Sequence, residues 1–441
     1  MTKHALYIVL VFIIVSKGNA QNNLHTVVGY RGSVSAASML PSTHQLTEFK
    51  FEASINYNAW VANKSITYGS LRDIYRSNSL STEDVDNIIS ELDDENRIGA
   101  GQNFLVIGLG LRTLIKEHPV TWNFTISERI NTNLLIPRTL VELIWLGNKP
   151  FEGQTVDISN TTLAGIYYRD YSLGFATPLL EWGDWKSGVG LHLSYLQGLA
   201  GITNSRNQIY FTTATGAEYL ELDYDFDFRY VGIEDFNLFQ TRGNGFGFGL
   251  GTTFSYKDVL HFDLALTDIG KIKYDRLVNY LVDDTTFHFT GLGLEELVDP
   301  YAFLDSLESI FTPEVDSLGN NFFKVPVGMR LSFMASWVFG QENKNHGPAT
   351  LSLLYSQGFS EQPGSTIYPE FSLVFHRRML RYCIFGVNVS LGGFNKVAVG
   401  GQLGMHFKHF RFSLHSDNLT GFIFPHSATG AAAGLMVQFL F

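Results

Sequence analysis

The sequence predicts an all-β fold, a transmembrane antiparallel β-barrel of the outer membrane with about 14 strands, or 16, and short helices in its long loops. Three observations predict it. Apolar residues recur with period two over stretches longer than ordinary globular strands. An export signal precedes those stretches, and the chain ends on an aromatic residue, Phe441. In hydrocarbon every backbone donor must find a partner, so an exported sheet in lipid has to close on itself.

Taken in order, residues 1–20 read as a signal peptide. Lys3 and His4 form a polar start, Ala5 to Val15 an apolar run too short to span as a helix, and Gly18-Asn19-Ala20 a small-x-small cleavage site before Gln21. Residues 21–48 are rich in Ser, Asn and Gly and are expected on the periplasmic side or inside the lumen, where they could act as a plug. Residues 49–441 form the barrel.

Its clearest strand is Phe49 to Val61. Phe49, Phe51, Ala53, Ile55, Tyr57, Ala59 and Val61 share one face, and Lys50, Glu52, Ser54, Asn56 and Asn58 the other. Leu220 to Tyr230 repeats the pattern, with Glu221, Asp223, Asp225 and Asp227 opposite Leu220, Leu222, Tyr224, Phe226 and Phe228. Weaker copies include Val189 to Tyr195, Leu260 to Leu266 and Val325 to Phe333. In the last strand Leu435, Val437, Phe439 and Phe441 share a face. That face is the expected signal to the barrel-assembly machinery.

Turns alternate between short and long, as in barrels with short periplasmic turns and long outer loops. Lys257-Asp258 and Lys408-His409 are tight, and Lys116 to Pro119 is a short turn. The long outer loops are 62–100, 131–162 and 271–323, with helical spacing at 79–95 (Ser81 as N-cap), 136–147 and 294–311. The hairpin Gln208 to Tyr230 either adds two wall strands, giving 16, or projects from the rim, leaving 14.

Composition excludes several functions. With 31 basic and 42 acidic residues the net charge is −11, which argues against nucleic acid as a partner. A single Cys, Cys383, excludes a disulfide framework. No hydrolase, phosphate-loop or zinc motif is present, so neither enzymatic activity nor a cofactor or metal is expected. Gly245, Gly247, Gly249 and Gly251 recur at every second position and line one face of a strand. Glu221, Asp223, Asp225 and Asp227 concentrate the most charge. They face the lumen if their strand crosses lipid, where they would select cations or bind Ca²⁺, and stand above the membrane if it does not.

Several stretches resemble a family of uncharacterised Bacteroidota outer-membrane barrels, the domain of unknown function 5723. Leu143 to Asn148 followed by Phe151-Glu152-Gly153 is similar to its "WxGN…FxG" element, and Tyr168 to Phe175 to the strand after it. Gly245 to Tyr256 with Leu266 to Gly270 resembles its central hairpin, and Ser416 to Leu419 the loop before its last strand. Where members carry Asn-Pro-Ala near the mature N-terminus, this chain has Ser38-Met39-Leu40-Pro41. More distantly the chain resembles PorP/SprF barrels of type IX secretion and FadL-type fatty-acid transporters. The resemblance implies outer-membrane lipid as surroundings. It leaves two roles, passage of small hydrophobic or amphipathic solutes, or anchoring of a surface protein or the type IX secretion and gliding machinery.

Overall fold

The computed structural model describes residues 50–67, 69–70, 82–233, 236–289, 322–340, 347–380 and 382–441. The residues expected to form the signal peptide, its cleavage site at Ala20 and Gln21, the 21–48 segment, the Ser81 N-cap and the 294–311 helix lie outside them.

The strands are β1 (Phe51–Asn63), β2 (Glu95–Ile115), β3 (His118–Pro137), β4 (Gln154–Asp157), β5 (Thr162–Trp182), β6 (Trp185–Thr213), β7 (Leu220–Val231), β8 (Gly243–Tyr256) and β9 (Leu260–Tyr274). They continue with β10 (Asn279–Phe289), β11 (Phe323–Pro326), β12 (Arg330–Phe339), β13 (Ala349–Gly358), β14 (Glu370–Met379), β15 (Cys383–Gly392), β16 (Asn395–His406), β17 (Phe410–Ser416) and β18 (Gly430–Leu440). Fourteen form a closed antiparallel ring, in the order β1, β2, β3, β5, β6, β8, β9, then β12 through β18 and back to β1. At the seam Phe441 N donates to Phe51 O at 2.9 Å, and Phe51 N to Phe441 O at 3.0 Å.

The ring is inverted relative to a soluble protein. On β1 the Glu52 side of the strand is buried (Glu52 itself 1% exposed), and Ile55 on the other side is 49% exposed. Serines meet across the inner rungs, Ser336 with Ser352 at 2.7 Å and Ser372 with Ser390 at 2.8 Å. Outside, Leu173, Leu193, Leu250 and Leu264 are all exposed. Apolar-out and polar-in is the arrangement lipid imposes on a barrel wall. At one end the turns are tight. Lys116, Glu117, Lys257 and Asp258 all take the positive φ that closes a two-residue hairpin in register with strand twist. Trp182, Trp185 and Tyr256 cluster there, the tryptophans stacked at 6.3 Å, as expected of an interfacial aromatic girdle.

At the opposite end the loops are long. Helices α1 (Thr82–Glu91) and α2 (Arg138–Leu146) occupy two of them, and α3 (Thr420–Ile423) a third. α2 starts after Pro137 and stops at Gly147, whose φ of 75° ends the helix. Strand β6 runs 29 residues and overshoots the ring. Its outer part pairs with β7 and β4, and β7 pairs with β10. The hairpin from Gln208 to Tyr230 therefore projects from the rim, which leaves 14 wall strands rather than 16.

The alternation breaks at one height in two adjacent strands. On β9, His261, Asp263, Ala265 and Thr267 are buried inside, but beyond Asp268 the inner positions become Ile272 and Tyr274. Asp268 is the extra residue of a bulge opposite β8, with φ of 55°. On the neighbouring strand Val325 and Val327 are inside, whereas Phe333 is outside. Val325 to Phe333 is thus not one strand with one face, as its alternation suggests. It is split into β11 and β12 around Gly328, whose φ is 85°. Opposite Asp268, Ile269 and Gly270 the regular ladder lapses.

Candidate functional site

A rung of small residues runs across five of the fourteen wall strands at this height. Thr125 pairs with Ser172, Ser172 with Ser194, Ser194 with Gly247, and Gly247 with Gly270. Small inner side chains leave room that bulky ones would fill. The outward neighbours are aromatic or aliphatic. Leu173, Leu193 and Phe248 flank the rung on one side, and Tyr171, Tyr195 and Phe246 on the other. Together they bound a cavity of about 900 Å³. Its lining also takes in Met329, beside the lapse in the ladder, and Gln362, from the loop between β13 and β14. One cavity is therefore bordered by lipid-facing side chains, by the small inner rung and by a loop inside the barrel.

That loop crosses the lumen. Five ring strands separate β13 from β3, yet Asn133 of β3 accepts a hydrogen bond from Gly364 N at 3.0 Å and donates one to Ser365 O at 2.8 Å. Tyr368 continues the crossing. It accepts a hydrogen bond from Arg97 Nη1 at 2.8 Å, and the Arg97 guanidinium also lies 4.7 Å from its ring centre. Glu361 lies 3.7 Å from Arg97 Nε. Gly364 takes φ of 76° hard against Asn131, where a Cβ would clash at 2.7 Å, so only glycine lets the tip approach this closely.

Beside the loop lies an ion network. Arg129 of β3 pairs with Asp268 at 2.8 Å and with Asp170 at 3.3 Å, and Arg330 reaches Asp268 at 3.9 Å. Toward the long-loop end, an apolar cluster of Ile166, Tyr168, Leu196, Ile272, Tyr274 and Val325 closes this side of the lumen. Tyr274 is fully buried, and its hydroxyl donates to Ala200 O at 2.8 Å.

The family model described as a family of unknown function, DUF5723, matches residues 45–417. The chain belongs to that family. No curated protein matches it. Among solved structures it is similar to the toluene transporter TbuX of Ralstonia pickettii, with 10% identity, 96% of this chain and 98% of that one covered, and a TM-score of 0.45. It is similar to a Pseudomonas aeruginosa FadL homologue, with 11% identity, 96% and 98% covered, and a TM-score of 0.41. It is also similar to the Pseudomonas putida toluene transporter TodX, with 7% identity, 96% and 94% covered, and a TM-score of 0.38.

In this DUF5723 barrel the four acidic residues named from the sequence stand on β7, outside the ring. Asp225 pairs with Arg206 at 2.9 Å and Asp227 with Arg229 at 2.7 Å. Asp223 accepts from Thr286 at 3.0 Å, and Glu221 lies 3.3 Å from His288. Among the described residues no three His, Cys, Asp or Glu side chains are placed to hold a metal. The alternating glycines of β8 lie on the inner face, and they are not equivalent. A Cβ at Gly247 would meet only ordinary contacts at 3.5 Å, whereas at Gly249 it would lie 2.3 Å from the His192 ring. Leu435, Phe439 and Phe441 are exposed on the outer face of β18, with Val437 half-buried beside them.

Sequence reasoning missed the wall dislocation and the crossing loop. A signal for the first was present. Leu260, Phe262, Leu264 and Leu266 are apolar at even positions, and after Thr267-Asp268 the outward side chains fall at odd ones, Ile269 and Lys271. For the second, Pro363-Gly364 marked a turn but said nothing about where it docks.

Proposed function

We propose that this barrel lies in the outer membrane and passes small hydrophobic or amphipathic solutes across it. The observation that carries the reading is the mainly apolar cavity at the wall dislocation. It borders the lipid-facing surface on one side and the lumen loop, through Gln362, on the other. A solute with little polar surface can move between those environments without losing hydrogen bonds, and the apolar walls favour its transfer from water. A hydrated ion gains nothing from such a lining. The crossing loop keeps the lumen from being an open water channel. In the same reading the outer face of β18 is what the barrel-assembly machinery engages.

The test is uptake of a radiolabelled monoaromatic hydrocarbon by cells producing the protein, beside cells producing Gly247→Leu. A Cβ at Gly247 meets only ordinary contacts and the cavity lies beside it, so the variant is expected to assemble, show heat-modifiable migration on gels, and lose uptake above background. Equal uptake by an assembled Gly247→Leu barrel would remove the cavity from the path. Steady ohmic conductance of the wild-type protein in a planar bilayer would make it a diffusion pore instead.

A further inference from the structure

At the upper edge of the cavity, where Lys271 is part of its lining, the outer face of the wall changes character. Lys271 and Lys273 of β9 and Lys324 of β11 are exposed on the side opposite the buried Ile272, Tyr274, Phe323 and Val325. Lys273 and Lys324 face each other directly across a rung. Both ammonium groups lie against one ring, Lys273 Nζ 4.7 Å and Lys324 Nζ 5.4 Å from the Phe322 centre. Like charges placed opposite each other in a sheet are destabilising unless something compensates them. Among the described residues the only carboxylate paired with this trio is Asp275, 3.2 Å from Lys273 and itself exposed.

The height of the trio shows what compensates it. Lys271 pairs with Phe246, which is 76% exposed at the top of the apolar belt. At the same level the Tyr195 hydroxyl reaches up to Asn244 at 2.5 Å, opposite Lys273. This is the boundary between hydrocarbon and headgroups on the long-loop side, where tyrosines and lysines place their polar ends outward. An anion that meets a lipid-facing strand at this depth is a headgroup phosphate. Lysine binds phosphate as a compact charge with three donors.

We infer that Lys271, Lys273 and Lys324 form a binding site for the phosphate groups of a glycolipid of the outer leaflet, with Phe322 holding two of the ammonium groups together. The inference rests on the outer-membrane reading but not on the solute path. The site anchors a lipid beside the cavity mouth and fixes the depth of the dislocated wall in the membrane.

Native mass spectrometry of the purified full-length protein in detergent tests it, with bis-phosphorylated lipid A and dephosphorylated lipid A as probes. The wild type is expected to retain the phosphorylated form preferentially. The triple variant Lys271→Gln/Lys273→Gln/Lys324→Gln should lose that preference while still migrating as a heat-modifiable barrel. The double variant Lys186→Gln/Lys257→Gln, at the tight-turn end, should keep it. A preference retained by the triple variant, or absent from the wild type, overturns the site. A rival anion lies in the same chain, since residues 290–321 carry seven carboxylates and no Lys or Arg. Replacing those seven with their amides should leave lipid A binding unchanged, and a rise in binding would make that stretch the occupant. Cell fractionation and the Gly247→Leu uptake experiment judge the location and the solute path separately.

Discussion

Arg129 Nη1 donates a hydrogen bond to Asp268 Oδ1 at 2.8 Å, although three ring strands stand between β3 and β9. The contact exists because the bulge at Asp268 turns an extra carboxylate into the lumen. Its backbone sits at φ of 55°, which a residue with a Cβ adopts at a cost of about 1–3 kcal/mol.

The pair and the strain make separable predictions. Arg129→Ala strips Asp170 and Asp268 of their shared cation and should destabilise the barrel by about 3–5 kcal/mol, the usual cost of orphaning a buried charge. Asp268→Ala keeps the strained backbone and loses the pair, whereas Asp268→Gly loses the pair and relieves the strain. Urea unfolding of the three variants in detergent should rank Arg129→Ala least stable and Asp268→Gly the mildest. If Gly and Ala at 268 prove equal, the bulge carries no strain.

On the far side of the lumen the crossing loop is held by Asn133 and by Arg97, and on the near side Arg330 Nη2 donates to Gly364 O at 3.4 Å. Each neutral hydrogen bond contributes about 1 kcal/mol, so Asn133→Ala, which removes two, should loosen the tip without releasing it while Arg97 still holds Tyr368. The double variant Asn133→Ala/Arg97→Ala should release it. Planar-bilayer recordings are expected to show brief openings in the double variant and a closed wild type. A silent double variant would place the barrier to ions in another part of the lumen.

The rim sheet is dispensable for closure. Among the described residues β7 and β10 pair only with one another and with β6, so no ring ladder runs through them, and Val231 at the end of β7 is what packs into the apolar cluster of the wall. Replacing residues 207–230 with a short Gly-Asn hairpin, which keeps Val231, should leave a heat-modifiable barrel of unchanged strand content by circular dichroism, allowing for the strand removed. Failure to assemble would mean that the extension nucleates the wall.

The seam predicts how the last residue matters. The β1–β18 ladder runs from Ala62 opposite Gly430 to Glu52 opposite Leu440, and Phe441 extends its end with its N–H and C=O, its ring 6.0 Å from that of Phe51. Deleting Phe441 removes all three of its backbone bonds to Lys50 and Phe51, and the ring, while Phe441→Leu keeps the bonds. The assembled fraction, read as the unheated fast-migrating band, should fall markedly for the deletion and slightly for the leucine variant.

What the sequence determined by itself was the wall. Period two with apolar residues on one face needs only local information, and a sheet whose outer face is apolar pairs all its backbone groups in lipid only by closing into a ring. Phe51 and Ile55 outside with Glu52 and Asn56 inside could therefore be read directly. So could the positive-φ hairpin at Lys257-Asp258 and the helix between Pro137 and Gly147. What the tertiary structure alone decided was membership and contact across distance. Leu220 to Tyr230 alternates as strictly as β1, because any two-faced sheet alternates. Only its pairing with the overshooting end of β6 shows that Glu221, Asp223, Asp225 and Asp227 stand on the rim. The cavity likewise depends on two irregularities, at Asp268 and at Gly328, far apart in sequence but side by side in the wall. The loop tip at Gly364 reaches Asn133 only after the barrel has closed. Alternation is set by each strand's two surroundings, whereas register, bulge alignment and lumen contacts are set by which strands become neighbours.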